Sequence, residues 1–380
     1  MTQRYLIGRW LWWAVAGVGA VILLAPSMGG AQEAFPPAQL VPQTLVNRPT
    51  PYGSLPDELE SFEIRLAPLV ENDSPPVITA LAASHDGRFL AAAGDDHAIR
   101  VIDVASGKTF GTLAGHTDWI QSLVFSSDSH DLYSAGNDGR VLQWQHQYPA
   151  SHREVLATDF ALRAITLSTE QNLLAVCGFS DQVVVWDLNA NRVKHVLSCN
   201  SQDQRCVRFS PDGKQLLRGG RLGEICVWDT ETGTELAHYH QHRRRVFTAA
   251  FSTDGRQITS VGEDRQLVRF DLATQQVTLA REIAGGKLMS MCLINDDMVA
   301  AAGADNLIHL YDVAAGKLLT TLAGHSGTVA VMVPCGEFLA SGSFDTTVRI
   351  WDLERIGQRS VDYGKPVHAP LKMDAGLQIR

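Results

Sequence analysis

Short apolar runs ending in an aromatic–acid pair recur along the chain at a nearly fixed interval, and this periodicity constrains the fold more than any other feature. The pairs are Trp186-Asp187, Trp228-Asp229, Phe270-Asp271, Tyr311-Asp312 and Trp351-Asp352, with Ile102-Asp103 and Trp144-Gln145 as weaker members. Their second residues are spaced 42, 42, 42, 42, 41 and 40 apart. A fixed period of this length marks a repeat architecture, in which one unit cannot bury its own apolar faces.

Each unit reads as four strands. In 119–158, Trp119 to Phe125, Asp131 to Ala135 and Val141 to Trp144 supply three runs, and a weaker fourth precedes the next unit. Turn-forming residues separate them, as in Ser126-Ser127-Asp128-Ser129 and Asn137-Asp138-Gly139. Equivalent turns are Ser84-His85-Asp86-Gly87, Ser210-Pro211-Asp212-Gly213 and Ser252-Thr253-Asp254-Gly255. No stretch of the body sustains an apolar 3.6-residue period, so helices are not expected. Four-stranded sheets that must stack on one another are accommodated radially, as the blades of a β-propeller.

These features resemble the WD-repeat propeller family over about 77–353. The signals are the Trp-Asp strand ends, the pairs Gly115-His116 and Gly324-His325, and an acid seven residues before the strand-ending acid. That acid is Asp96, Asp138, Asp264, Asp305 or Asp345, whereas Ser180 and Leu222 break the pattern in units three and four. The resemblance implies an all-β, seven-bladed propeller of four-stranded antiparallel blades spanning 61–357. It also implies hydrogen-bonded tetrads: His116, Ser134, Asp138 and Trp144 in unit two, and His325, Ser341, Asp345 and Trp351 in unit seven. Unit five matches with His242, Ser260 and Asp264, but Phe270 replaces Trp and cannot donate a hydrogen bond. Unit seven has no good fourth strand after Asp352. Phe62 to Val70 is expected to supply it, closing the ring and covering an exposed sheet edge.

The N-terminus stands outside the repeat. Arg4 and Arg9 flank an apolar run from Trp10 to Ala25, and Pro26 leads to Gly29-Gly30-Ala31. A positive flank, a short apolar core and a small-residue exit make 1–31 a signal peptide cleaved after Ala31, or else an uncleaved membrane anchor. Either reading places the body outside the cytoplasm: periplasmic or secreted, or tethered by this segment. The density of proline in 32–60 indicates a linker, and 358–380 a flexible tail. Net charge is −9, without a basic stripe, which argues against nucleic acid or an anionic membrane surface as a general partner.

The tetrads contain Ser, His and Asp, but a catalytic triad does not recur at a fixed period, so their reading is structural. His238, His240 and His242 alternate and could face one side of a strand. His242, however, falls at the tetrad position, and no metal site is expected. Arg243-Arg244-Arg245 is either an anion-binding fork or a solvated loop. Cys199 and Cys206 flank one inter-blade loop and form the candidate disulfide among six cysteines. No haem-attachment, Walker or dinucleotide motif is present, so no cofactor is expected.

In the family, contact residues cluster on one rim. Here strand entrances supply Trp119, Arg245 and Lys287, and positions before the turn acid supply Asp95, Asn137, Phe179, Arg221, Glu263, Ala304 and Phe344. Loop Trp, Phe and Arg residues are typical of interface cores and hot spots. Phe179 and Phe344 could equally cover the channel mouth. The leading expectation is an exported, non-catalytic scaffold that docks a protein or peptide on this rim. The alternative is an extracytoplasmic hydrolase or oxidoreductase with Asp95, Glu263 and Asn137 at the central channel mouth.

Overall fold

The computed structural model describes residues 61–70, 73–145, 151–199 and 201–353. The expected signal or anchor (1–31), linker (32–60) and tail (358–380) lie outside these described residues.

Every element among the described residues is a strand. After β1 (Ser61–Arg65), blade 1 comprises β2 (Ile78–Ala83), β3 (Phe89–Gly94), β4 (Ala98–Asp103) and β5 (Lys108–Ala114). Blade 2 has β6 (Ile120–Phe125), β7 (Asp131–Gly136), β8 (Arg140–Gln145) and β9 (His152–Ala157). Blade 3 has β10 (Leu162–Ser168), β11 (Leu173–Gly178), β12 (Gln182–Asp187) and β13 (Arg192–Ser198). Blade 4 has β14 (Cys206–Phe209), β15 (Gln215–Gly219), β16 (Glu224–Asp229) and β17 (Glu235–His240). Blade 5 has β18 (Val246–Phe251), β19 (Gln257–Gly262), β20 (Gln266–Asp271) and β21 (Gln276–Glu282). Blade 6 has β22 (Leu288–Leu293), β23 (Met298–Gly303), β24 (Ile308–Asp312) and β25 (Lys317–Leu322). Blade 7 has β26 (Val329–Cys335), β27 (Phe338–Ser343) and β28 (Thr347–Asp352). The seven sheets are four-stranded and antiparallel, and the chain is a seven-bladed β-propeller.

Turn chemistry sets the strand ends. Ser84 Oγ bonds Asp86 at 2.5 Å and accepts the Phe89 N–H at 2.8 Å, while Gly87 takes φ +69°. That left-handed step suits glycine. The same unit recurs at Ser210-Asp212-Gly213 and Ser252-Asp254-Gly255. The acid of the aromatic–acid pair closes the next hairpin. Asp103 accepts the Ser106 N–H at 2.9 Å, Asp229 that of Thr232 at 2.7 Å and Asp271 that of Thr274 at 2.8 Å.

The middle strands of each blade are buried on both faces, so their sequences are nearly continuous apolar runs rather than alternating ones. Each face packs against a different neighbour. Ile99 and Val101 of β4 join Leu132, Leu142 and Trp144 of blade 2, whereas Ile102 joins Ala340 and Val348 of blade 7. Seven such clusters, one between each adjacent pair of blades, make up the core.

β1 completes blade 7, pairing with β28 in the register Phe62↔Ile350 and Ile64↔Val348. The strand stops at Arg65 instead of continuing to Val70, because its partner begins at Thr347 and offers no further ladder. Leu66 then turns into the core between blades 7 and 1, and the Ala67 carbonyl accepts a 2.8 Å bond from Arg100 of blade 1. Side chains reinforce the seam. Arg349 donates to Glu63 at 2.6 Å and to Ser61 Oγ at 2.9 Å, with both charges largely buried.

Deleting 61–70 opens the β28 edge and should lower the calorimetric melting midpoint by about 10 °C or more. Glu63→Gln should cost about 3 kcal/mol, because it leaves Arg349 buried without its carboxylate. An unchanged midpoint in the deletion would show that the ring closes without this strand.

Candidate functional site

The rim is positioned by the turn acids. In blade 2, Asp138 lies 2.9 Å from His116 Nδ1 and accepts the N–H groups of Thr117 (3.0 Å) and Arg140 (3.1 Å). His116 Nε2 is 2.7 Å from Ser134 Oγ, which receives the Trp144 indole N–H at 2.8 Å. One donor direction satisfies the chain: indole to hydroxyl, hydroxyl to Nε2, and Nδ1–H to carboxylate. The loop entering β6 is thereby tied to the loop between β7 and β8. Blade 7 repeats the geometry, with His325–Asp345 at 2.9 Å, His325–Ser341 at 2.7 Å and Trp351–Ser341 at 2.8 Å. Blade 5 has His242–Asp264 at 2.9 Å and His242–Ser260 at 2.8 Å, and Phe270 leaves Ser260 without an indole donor.

The other blades use different chemistry. In blade 1, Asp96 pairs with buried Arg100 at 2.5 Å, and in blade 6 Asp305 pairs with His309 at 2.7 Å. In blade 4, Arg218 stands at the serine position and Leu222 at the acid position. A fully buried pair forms instead, with Arg218 bonded to Glu224 at 2.7 Å and to Gln204 at 2.9 Å. Blade 3 has Val176 and Ser180 at these positions, and the Trp186 indole nitrogen is buried without a hydrogen-bond partner among the described residues.

A second recurring bond brings the two rim loops into contact. The N–H before the turn acid donates to the carbonyl at the strand entrance: Asn137 to Trp119, Phe179 to Ala161, Glu263 to Arg245, Ala304 to Lys287 and Phe344 to Thr328. Asp95 makes the equivalent link through its side chain, accepting the Val77 N–H at 3.0 Å. Trp119, Phe179 and Phe344 are exposed aromatics on this rim, and exposed Arg221 lies beside exposed Leu222.

Three expected contact residues engage one another. Lys287 donates to Glu263 at 2.6 Å, and Arg245 lies 3.7 Å from Glu263 and 2.8 Å from Asp203 of blade 4. Asp203 also holds Arg205 at 2.6 Å. The guanidinium groups of Arg205 and Arg163 lie 5.1 and 5.5 Å from the Phe179 ring centre, within cation–π range. A continuous network thus runs from blade 3 to blade 6. Sequence reading missed Arg163, Arg205 and Asp203, although Asp203 is the blade 4 strand entrance and the two arginines sit one period apart, two residues inside it. Arg243 and Arg244 are exposed.

Electrostatics favour the ionised form of several rim carboxylates. The hydrogen bond from Lys287 holds the Glu263 carboxyl below its usual range, with the charges of Lys287 and Arg245 adding to it. Burial would raise Asp138, but the bonds from His116 and Thr117 outweigh it and leave the carboxyl low; the same holds for Asp264 and Asp345.

The cysteine expectation is corrected. Cys199 and Cys206 are free thiols, because they lie on opposite faces of blade 4. Cys199 packs into the interface of blades 3 and 4, and Cys206 into that of blades 4 and 5. The three histidines also separate: His242 joins its tetrad, while His238 and His240 stack at 5.1 Å on β17. Cys226, Glu235 and His238 have ligand atoms within 4.8 Å of one another. Burial pushes the Cys226 thiol up to about 12, which disfavours the thiolate a metal would need.

The closed ring of repeats joined through such tetrads defines a WD-repeat propeller. The chain belongs to the WD-repeat family: residues 67–103, 107–145 and 316–352 match the WD domain, G-beta repeat, and 165–261 match the anaphase-promoting complex subunit 4 WD40 domain. It is similar to a periodic tryptophan protein 2 homolog of Neurospora crassa, 25% identical over 79% of this chain and 41% of that protein. Periodic tryptophan protein 2 of Arabidopsis thaliana is 26% identical over 64% of this chain and 29% of its own length. A transcriptional corepressor of Arabidopsis thaliana is 24% identical over 70% and 34%. The chain therefore spans less than half the length of these curated relatives.

These relatives overturn the expected location. The periodic tryptophan protein 2 relatives are intracellular proteins, and they give no support for export. No helix of the described residues is long and apolar enough to cross a membrane.

Two outcomes test the tetrads. Trp144→Phe should cost about 1–2 kcal/mol by removing the donor to Ser134, whereas Trp186→Phe, which removes an unpartnered N–H, should cost almost nothing in chemical denaturation. Equal losses would refute the tetrad account. Because the Asp138, Asp264 and Asp345 carboxyls are low in the folded chain, their stabilisation is complete above the unfolded value of about 3.9 and fades as pH falls below it. Asp345→Asn should lower the melting midpoint at pH 7 and flatten its fall below about pH 4. An acid profile parallel to that of the parent chain would contradict this assignment.

Proposed function

We propose that this propeller is a non-catalytic scaffold that docks a protein or peptide partner on the rim carrying Trp119, Phe179, Arg221 and Phe344. The observation that supports it is the exposure of three aromatic side chains on loops whose backbone is otherwise tightly fixed. Trp119 is 41% exposed, Phe179 47% and Phe344 43%. None is needed to fill a blade interface, since the seven core clusters form without them. Rigid loops lose little conformational entropy on binding, and large aromatics concentrate binding energy.

The acidic side chains near the channel mouth support a non-catalytic reading. Asp95 is committed to the Val77 amide, and Glu263 to Lys287 and Arg245. These contacts hold both carboxylates in place as parts of the rim. Arg245, Lys287 and Glu263 serve the rim chiefly by fixing its shape, and the buried side-chain oxygen of Asn137 has no hydrogen-bond partner among the described residues.

Affinity purification of the full chain from its source cells, read by quantitative mass spectrometry, tests the reading. Trp119→Ala with Phe344→Ala should deplete the co-purifying partner about tenfold or more, with an unchanged melting midpoint. Arg88→Ala with Arg256→Ala, in turns at the opposite strand ends, should leave it in place. Equal recovery from both double variants would remove the rim from the docking surface.

A further inference from the structure

One residue per blade stands out at the rim end of the inner strands. Bulges fall at Thr79, Gln121, Arg163, Phe247, Met289 and Ala330, where the pairing skips one residue. Arg205, immediately before β14, holds the equivalent place in blade 4. All seven side chains are half-buried. A bulge turns its side chain out of the ladder, and the inner strands of neighbouring blades pack in a ring, so these residues surround the mouth of the central channel.

Around most of the ring this set is neutral, but in blades 3 and 4 it is arginine. Arg163 has no ion-pair partner within 4 Å among the described residues, and burial together with the neighbouring Arg205 charge brings its pKa down to about 10. Arg208, further along β14, is exposed and among the described residues donates only to the carbonyls of Ile165 and Val207, each at 3.4 Å. It sits on an inner strand of the ring, and burial lowers its pKa too. Arg205 and Arg245 share Asp203, and Lys287 shares Glu263 with Arg245. Five cations therefore meet two carboxylates on a chain whose net charge is −9. Both carboxylates are more deeply buried than Lys287, so positive charge faces outward.

Resting on the docking reading above, we propose that the channel mouth at blades 3 to 5 recognises an acidic peptide segment of the partner. Arg163 pairs with one anionic side chain, Arg208 receives a second deeper in the channel, and the exposed Phe179 ring covers the peptide between them. Charge complementarity selects this occupant. An anion relieves the unpaired charge of Arg163, and the planar guanidinium suits an oxyanion. Carboxylate and phosphate share this chemistry, and the probes below separate them.

The test uses the full chain and fluorescein-labelled octapeptides in which glycine alternates with glutamate, glutamine or phosphoserine, read by anisotropy. The glutamate peptide should bind, with affinity falling as salt rises, and the glutamine peptide should not. Arg163→Gln should weaken binding about tenfold with an unchanged melting midpoint, and adding Arg208→Gln should weaken it further. Arg88→Gln, at the opposite strand ends, should have no effect. Tighter binding of the phosphoserine peptide, lost with the same substitutions, supports the site and makes phosphate its better anion. Equal binding of the glutamate and glutamine peptides overturns the proposal. So does indifference to Arg163→Gln, or tighter binding of an eight-nucleotide single strand than of either acidic peptide. If Trp119→Ala with Phe344→Ala depletes the partner while no acidic peptide binds, the docking reading stands and this site falls.

Discussion

The pairing of β1 with β28 is the contact on which the rest of the ring depends. Each blade is a four-stranded sheet with apolar side chains on both faces, and it is stable only between two neighbours. Six blades acquire their fourth strand from the adjoining sequence, whereas the seventh acquires it from residues nearly three hundred positions away. The join is made of backbone hydrogen bonds, the Arg349–Glu63 ion pair and Leu66 inserted toward blade 1. Without it, one end of the stack would present an open strand edge and the other an uncovered face.

Once the ring is closed, neighbouring blades need only agree locally, and the means of agreement vary. Blades 2 and 7 use complete tetrads, and blade 5 does so without the indole donor. Blades 1 and 6 oppose the turn acid with a cation-capable residue four positions on, Arg100 or His309. Blade 4 replaces the set with a buried arginine–glutamate pair. The common requirement is electrical: a turn acid drawn into the blade must be matched by donors, and where the acid is lost the histidine is lost with it. A member kept without its partners leaves a buried polar group unpaired, as at Trp186.

The architecture was legible because its cause is periodic. A spacing of 40 to 42 residues, turn serines and aspartates at fixed offsets, and apolar runs too short for helices leave little choice but stacked four-stranded blades. Even the closing strand was visible, since a unit lacking its last strand points to a spare one elsewhere; only its end at Arg65 depended on where β28 begins. Interactions between units were hidden. Arg205 reaches a ring in blade 3, and Arg245 reaches a carboxylate in blade 4. Such pairs follow from where each rim loop aims a side chain across the blade boundary, which residue spacing does not encode. The disulfide expectation failed for the same reason: Cys199 and Cys206 are near in sequence but pack into different blade interfaces. The expected export rested on residues 1–31 alone, outside the propeller that the intracellular relatives match.

The two blades that depart furthest from the repeat are the ones that carry the basic mouth. Blades 3 and 4 lack both the tetrad histidine and its acid, and between them lie Arg163, Phe179, Asp203 and Arg205, bound in one stacked and ion-paired group. Within it Arg205, held by Asp203 and set over the Phe179 ring, links the rim loops across the blade boundary, the task that the histidine–acid bond performs within a blade elsewhere. The tetrad turns its polar atoms inward, where they satisfy one another. The arginine–aromatic group leaves polar and apolar surface facing the channel. Exchanging one for the other retains the connection between loops while converting a sealed seam into a surface able to meet a charged ligand. Relaxation of the repeat pattern in this sector and the concentration of unpaired cations there are two aspects of the same local change.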